Sequence, residues 1–178
     1  MFRYAGIGSR ETPVEAQRQM FGVAQDLAPQ WLLRSGHADG ADQAFEEGCI
    51  SAKGKMEIFI PWLNFNGAPN NDPRYIRPKA TPDLAEYAAS FHPAWKQCSD
   101  PAKLMHMRNV CQILGQYGDE PVDMVICWTR GAKGGGGTGQ AIRIANFHNI
   151  PVFDIASQSN ARRLCEFVTE IMKIRKAG

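Results

Sequence analysis

Asp123-Met124-Val125-Ile126-Cys127-Trp128 leads through Thr129 into Arg130-Gly131-Ala132-Lys133-Gly134-Gly135-Gly136-Gly137-Thr138-Gly139-Gln140, and helical spacing then continues to Phe147. The apolar run reads as a buried strand and Gly137 to Phe147 as a helix, so the glycines form a strand-to-helix turn. Ordering four successive glycines costs much chain entropy. Backbone N–H groups converging on an anion at the helix N-terminus offset that cost; a turn without a ligand is the alternative. The turn is not a P-loop, because aligning Gly131 and Gly136 with GxxxxG puts Gly137 where the lysine belongs.

The same pattern occurs twice upstream. Tyr4 to Gly8 reads as a strand, and Gly6-Ile7-Gly8-Ser9-Arg10-Glu11-Thr12 turns into a helix over Pro13 to Ala28, with Thr12 as its cap. Trp31-Leu32-Leu33 is the next strand, and Arg34-Ser35-Gly36-His37-Ala38-Asp39-Gly40-Ala41-Asp42 leads into a helix over Ala38 to Ala52. Met56 to Ile60 is a third strand. A long loop at about 61–82 lacks periodicity and carries several Pro and Asn, which marks it as functional or disordered. Helices near Asp83–Phe91 and Pro101–Gly115, a strand over Pro151–Ile155 and a helix over Ala161–Lys176 complete the pattern. Alternating strands and helices predict an α/β fold: a Rossmann-like, doubly wound parallel sheet in a three-layer α/β/α sandwich, as one domain over 1–178. All three glycine windows then lie at the strand C-ends, where such folds bind ligands.

In the first turn Gly8, Ser9 and Arg10 suit a phosphate beside a helix N-terminus. The turn begins like GxGxxG, but Glu11 stands at the third glycine and Trp31 where an acid would hold ribose, which argues against a nicotinamide cofactor. In the second turn Ser35 and Gly36 allow close approach to phosphate or ribose. Asp39 and Asp42 either cap and favour the helix start or accept ribose hydroxyls. Aromatic and cationic residues of the loop, Trp62, Phe65, Arg74, Tyr75, Arg77 and Lys79, either stack a base and screen phosphate or pin the loop to the body. The histidines His37, His92, His106 and His148 form no HExxH motif or Cys/His spacing, so neither a metal site nor a cofactor is expected.

Met105-His106-Met107-Arg108-Asn109, followed by a strand and the Gly-Gly-x-Gly-Thr of Gly134 to Thr138, resembles the "lonely guy" phosphoribohydrolases. The Gly-Ser-Arg and Ser-Gly-x-Ala-x-Gly-x-Asp turns resemble the wider SLOG superfamily, which includes DNA-processing protein A-like recombination mediators. The resemblance implies that Arg108 contacts phosphate and that Gly135, Gly136, Gly137 and Thr138 form the phosphate loop. The hydrolases' glutamate falls on Ala141, and Gln140 cannot replace its charge. The expected function is therefore binding of a nucleotide or nucleotide-derived ligand for sensing or sequestration. The alternatives are an N-glycoside hydrolase on a nucleoside 5′-monophosphate and a single-stranded DNA-binding mediator. The resemblance also implies a homo-oligomer.

Length and composition set the outer bounds. The chain has 178 residues, 44% hydrophobic and 21% charged, which excludes a disordered chain and a coiled coil. Its 17 glycines exceed the roughly 12 expected at a usual ~7%, and the three windows hold the excess. A net charge of +2 disfavours nucleic acid as a partner, and the basic run Lys173 to Lys176 suits a helix C-terminus. Five cysteines without CxxC spacing fit buried thiols in a reducing compartment. No signal-like start or membrane-length apolar run is present, so a cytoplasmic location is expected.

Overall fold

The computed structural model describes residues 1–177, the surroundings of Gly136 and of 174–177 excepted. Its strands are β1 (Phe2–Gly8), β2 (Trp31–Ser35), β3 (Lys55–Phe59), β4 (Tyr75–Ile76), β5 (Met124–Trp128) and β6 (Val152–Asp154). Its helices are α1 (Val14–Leu27), α2 (Ala41–Ser51), α3 (Pro82–Ser90), α4 (Asp100–Leu114), α5 (Gly136–Phe147) and α6 (Gln158–Ala177). Side chains alternate along the central strands, and that alternation makes three layers. Tyr4, Met124 and Ile126 pack with Met20 and Leu27 of α1, Phe45 of α2 and Leu164 of α6. Their neighbours Ala5, Ile7, Val125 and Cys127 pack with Ala88 of α3, Val110 and Ile113 of α4 and Ile144 of α5. The strand order is β4-β3-β2-β1-β5-β6, all parallel, so the winding direction reverses between β1 and β5. The Rossmann-like α/β/α expectation is met.

Local details differ from the sequence expectations. Thr12 does not cap α1: Pro13 holds the cap position, and the Thr12 hydroxyl donates to Ser9 O at 2.6 Å. Nor does Asp39 cap α2, which starts at Ala41 instead of Ala38. Gly40 precedes it with φ +82°, and a Cβ there would press on the Ser9 and Arg10 carbonyls, so the chain turns before it coils. The long loop is not structureless. Arg74 O accepts from Ile58 N at 2.7 Å and Ile76 O from Ile60 N at 2.9 Å, which adds β4 to the sheet edge. Of the five free cysteines, Cys49, Cys111 and Cys127 are buried, whereas Cys98 is half-buried and Cys165 exposed. Among the described residues no helix is long and apolar enough to cross a membrane.

Arg34 on β2 is buried, and burial of a guanidinium demands partners. Glu57 on β3 accepts from its Nε at 2.7 Å, Glu120 approaches Nη2 at 3.4 Å, and the Glu120 carbonyl accepts from Nη1. Glu57→Ala is expected to lower unfolding stability by about 1.5–3 kcal/mol in denaturant titrations. A change below ~0.5 kcal/mol would mean that Glu120 alone satisfies the guanidinium.

Candidate functional site

A cleft of about 680 Å³ opens at the C-terminal ends of the strands, where the winding reverses. The turn after β1 brings Gly8, Ser9 and Arg10 to its wall, and the start of α2 brings Asp42. Arg108, Asn109 and Gln112 enter from α4, and Gly137 and Thr138 from the first turn of α5. Trp62 and Phe65 of the long loop close another side.

Four expected contact residues stand elsewhere. Ser35 is fully buried and its hydroxyl donates to Gly6 O at 2.7 Å, so it ties β2 to β1 instead of meeting a ligand. Gly36 is buried against α4: a Cβ there would overlap the Arg108 guanidinium and the Gln112 amide. Its lack of a side chain makes room for Arg108. Asp39 is exposed and off the cleft wall, 3.5 Å from Asn66 Nδ2. Gly135 is the exposed cap residue of α5 and Gly136 begins that helix.

Arg108 and Asp42 form a buried ion pair at 3.4 Å, each 4% exposed. Burial pushes the Asp42 carboxyl up to about 6 against the lowering effect of Arg108. Burial likewise lowers the Arg108 guanidinium from its ordinary value, opposed by Asp42. The pairing is incomplete, since Arg108 Nε and Gln112 Nε2 are buried without a hydrogen-bond partner. The Phe65 ring covers the guanidinium, with its centroid 5.9 Å from Cζ. Arg10 is exposed at the cleft mouth.

The glycine turn is anchored by side chains that its composition does not announce. Asp154, at the end of β6, accepts the Thr129 N–H and the Ala156 N–H at 3.1 Å each, and also the Thr129 hydroxyl. Thr129 Oγ1 in turn accepts the Gly134 N–H at 2.9 Å. Asn109 Nδ2 donates to Gly137 O at 3.4 Å and Gln140 Oε1 at 3.3 Å. The first α5 amide to bond within the helix is that of Gly139, to Gly135 O at 3.2 Å, and the amides before it face the helix end. A rim ion pair, Arg130 to Glu11 at 2.6 Å, joins the third turn to the first.

Ala141 lies in the cleft wall and the core, so this position supplies no carboxylate. Two acids line the cleft, the buried Asp42 and the exposed Glu11. The loop residues divide by role. Trp62 and Phe65 face the cleft, Tyr75 donates to Glu46 of α2 and so pins the loop, and Arg74 pairs with Asp72 within the loop itself. The structure also corrects the expectation of no Cys/His cluster: the ligand atoms of His92, Cys98 and His106 lie within 4.8 Å of one another. Their spacing in sequence matches no metal motif, and only the fold of 91–106 brings them together.

Neither a protein-family model nor a curated protein sequence matches this chain. Solved structures do. DNA processing protein A from Helicobacter pylori, described with a unique single-stranded DNA binding mode, aligns with TM-score 0.55 at 19% identity over 86% of this chain and 64% of that one. DNA processing protein A from Streptococcus pneumoniae aligns with TM-score 0.55 at 21% identity over 86% of this chain and 50% of that one. The chain thus spans half to somewhat under two thirds of these proteins. With its three glycine turns on one edge of a parallel sheet, the chain shares the Rossmann-like α/β/α fold of these structures.

Proposed function

We propose that this protein binds a nucleotide or nucleotide-derived ligand through its phosphate in the cleft, as a sensor or sequestering module. The observation that carries the reading is the buried Arg108 guanidinium, its Nε unpartnered, in the same wall as the Gly137-Thr138 helix start. A guanidinium and a helix N-terminus together suit a phosphate. Gln112 Nε2 offers a second unsatisfied donor in that wall. Trp62, 37% exposed beside Phe65, presents a ring on which a base can stack, and Arg10 adds a cation at the mouth.

Asp42 favours a second reading, N-glycoside hydrolysis of a nucleoside 5′-monophosphate. A carboxyl held at about 6 is near the range that general acid–base work requires. It would supply the acid that Ala141 lacks. Single-stranded DNA binding is supported by the structural neighbours but draws little from a net charge of +2.

Thermal shift with nucleoside monophosphates, nucleosides and a single-stranded oligonucleotide, followed by chromatography, separates these readings. The expected result is stabilisation by intact monophosphates and not by nucleosides. Arg10→Ala, at an exposed position, is expected to weaken monophosphate binding about fivefold, the equivalent of ~1 kcal/mol. Release of base and ribose 5-phosphate, abolished in Asp42→Asn, would establish the hydrolase instead. Salt-sensitive oligonucleotide binding without mononucleotide binding would assign the cleft to DNA.

Protonation of Asp42 gives two further expectations. Its folded value of about 6 lies above the ordinary 3.8, so protonation favours the folded state. Relative to Asp42→Asn, the wild-type protein is expected to lose stability as pH rises from 3.8 through about 6; parallel denaturation profiles would show a carboxyl ionised throughout. Protonation also frees Arg108 from its counter-charge. Binding of a phosphodiester probe, whose own charge is constant in this range, should therefore strengthen as pH falls through about 6, as read by titration calorimetry.

A further inference from the structure

His92 and Cys98 lie in the segment between α3 and α4, and His106 lies two residues before Arg108 on α4. Cys98 Sγ is 3.7 Å from His92 Nδ1 and 4.0 Å from His92 Nε2. The two imidazole rings are 4.1 Å apart, and Trp95 flanks both. In a tetrahedral zinc site, with metal–sulfur near 2.3 Å and metal–nitrogen near 2.05 Å, neighbouring ligand atoms stand roughly 3.3–3.6 Å apart. The cluster therefore needs about 1 Å of contraction at its widest. Two of its three members lie on a short connecting segment containing a single 3-10 turn, Trp95–Gln97, which can adjust more readily than a packed helix.

We propose that His92, Cys98 and His106 bind a zinc-class divalent cation beside the nucleotide cleft, with a fourth position left to water. One thiolate and two imidazoles are the ligand set that such a borderline cation prefers.

A second observation lies behind the ligands. His106 Nδ1 is 2.8 Å from Gln140 Oε1. The Gln140 amide is fixed by Nε2 donating to Ala88 O at 2.9 Å and by Oε1 accepting from Asn109 Nδ2 at 3.3 Å. An oxygen at that position requires the proton on His106 Nδ1, which leaves the Nε2 lone pair for a metal. Metal-bound histidines commonly donate their other N–H in this way. Cys98, as a thiolate, would supply the negative charge that a divalent cation prefers beside two imidazoles. His92 Nδ1 accepts only a long bond from the Ala94 N–H, 3.3 Å, which coordination can displace. Without a metal, Cys98 keeps weak sulfur contacts to Ala94 O at 3.6 Å and His92 Nδ1 at 3.7 Å.

Cobalt(II) titration of the apo-protein carrying Cys165→Ser, which removes the exposed thiol, tests the site. The expected result is one equivalent of cobalt with the intense visible bands of a tetrahedral site and a thiolate charge-transfer band, both bleached by zinc. Adding Cys98→Ser should abolish the charge-transfer band, and His92→Ala should weaken binding at least tenfold. Zinc should raise the melting temperature of the Cys165→Ser protein but not of the Cys98→Ser variant. Absence of the bands, an octahedral spectrum, or a charge-transfer band that survives Cys98→Ser would overturn the proposal. None of these readouts involves a nucleotide, so they stand apart from the nucleotide-binding reading.

Discussion

Two buried charges that are forced to share one place organise the C-terminal edge of the sheet. Arg108 reaches in from α4 and Asp42 from the first turn of α2, and neither has water to solvate it. A lone buried charge of either sign would be very costly, so each requires the other. Their meeting requires that nothing project from Gly36, over which the guanidinium lies, and that α2 begin after the turn at Gly40. The same helix holds the loop through Glu46, which bonds His37 Nδ1 at 2.8 Å and accepts the Tyr75 hydroxyl. That bond to Glu46 is also the main reason that His37 is raised above its ordinary value. α2 is therefore a common anchor: Asp42 fixes the cleft floor, and Glu46 fixes the segment that brings Phe65 over Arg108.

This arrangement explains which parts were legible in the sequence. Strand-to-helix alternation and glycine placement record the backbone path, and they located the three turns and the correct edge. They do not record which atoms a glycine makes room for. Gly36 reads equally well as a phosphate neighbour and as a seat for Arg108, and Ser35 as a ligand donor and as a tie to the Gly6 carbonyl. β4 escaped because a two-residue strand is too short for any period to register. Asp154 escaped because Thr129, which gives it two of its bonds, lies 25 residues away on another strand-to-helix turn, where no spacing rule applies. His92, Cys98 and His106 likewise converge only after α3 and α4 fold against each other.

The charge pattern also constrains what can enter the cleft. At neutral pH Asp42 offsets Arg108, and Glu11 at the rim pairs with Arg130, so among the described cleft-lining residues Arg10 is an exposed cation outside any ion pair. A large polyanion gains little from such a site, because salt-dependent binding of nucleic acid draws on several cations at once. The proposed single phosphate would need less: the α5 amides, the unpartnered Arg108 Nε and Gln112 Nε2, and one exposed cation.

On the proposed reading, entry of a phosphate beside Arg108 would bring a second negative charge toward Asp42, and like charges at short range raise a carboxyl further. Asp42 already stands at about 6, so the least costly bound state at neutral pH is one in which it takes up a proton. Ligand binding and protonation are thereby linked through one buried side chain. If a protonated Asp42 lies near the glycosidic bond, the linkage supplies a general acid; if not, it sets the affinity. On the proposed reading the acid–base chemistry of the cleft would rest with Asp42 and not with Ala141, and the counter-ion of that acid, Arg108, would also be the phosphate's ligand.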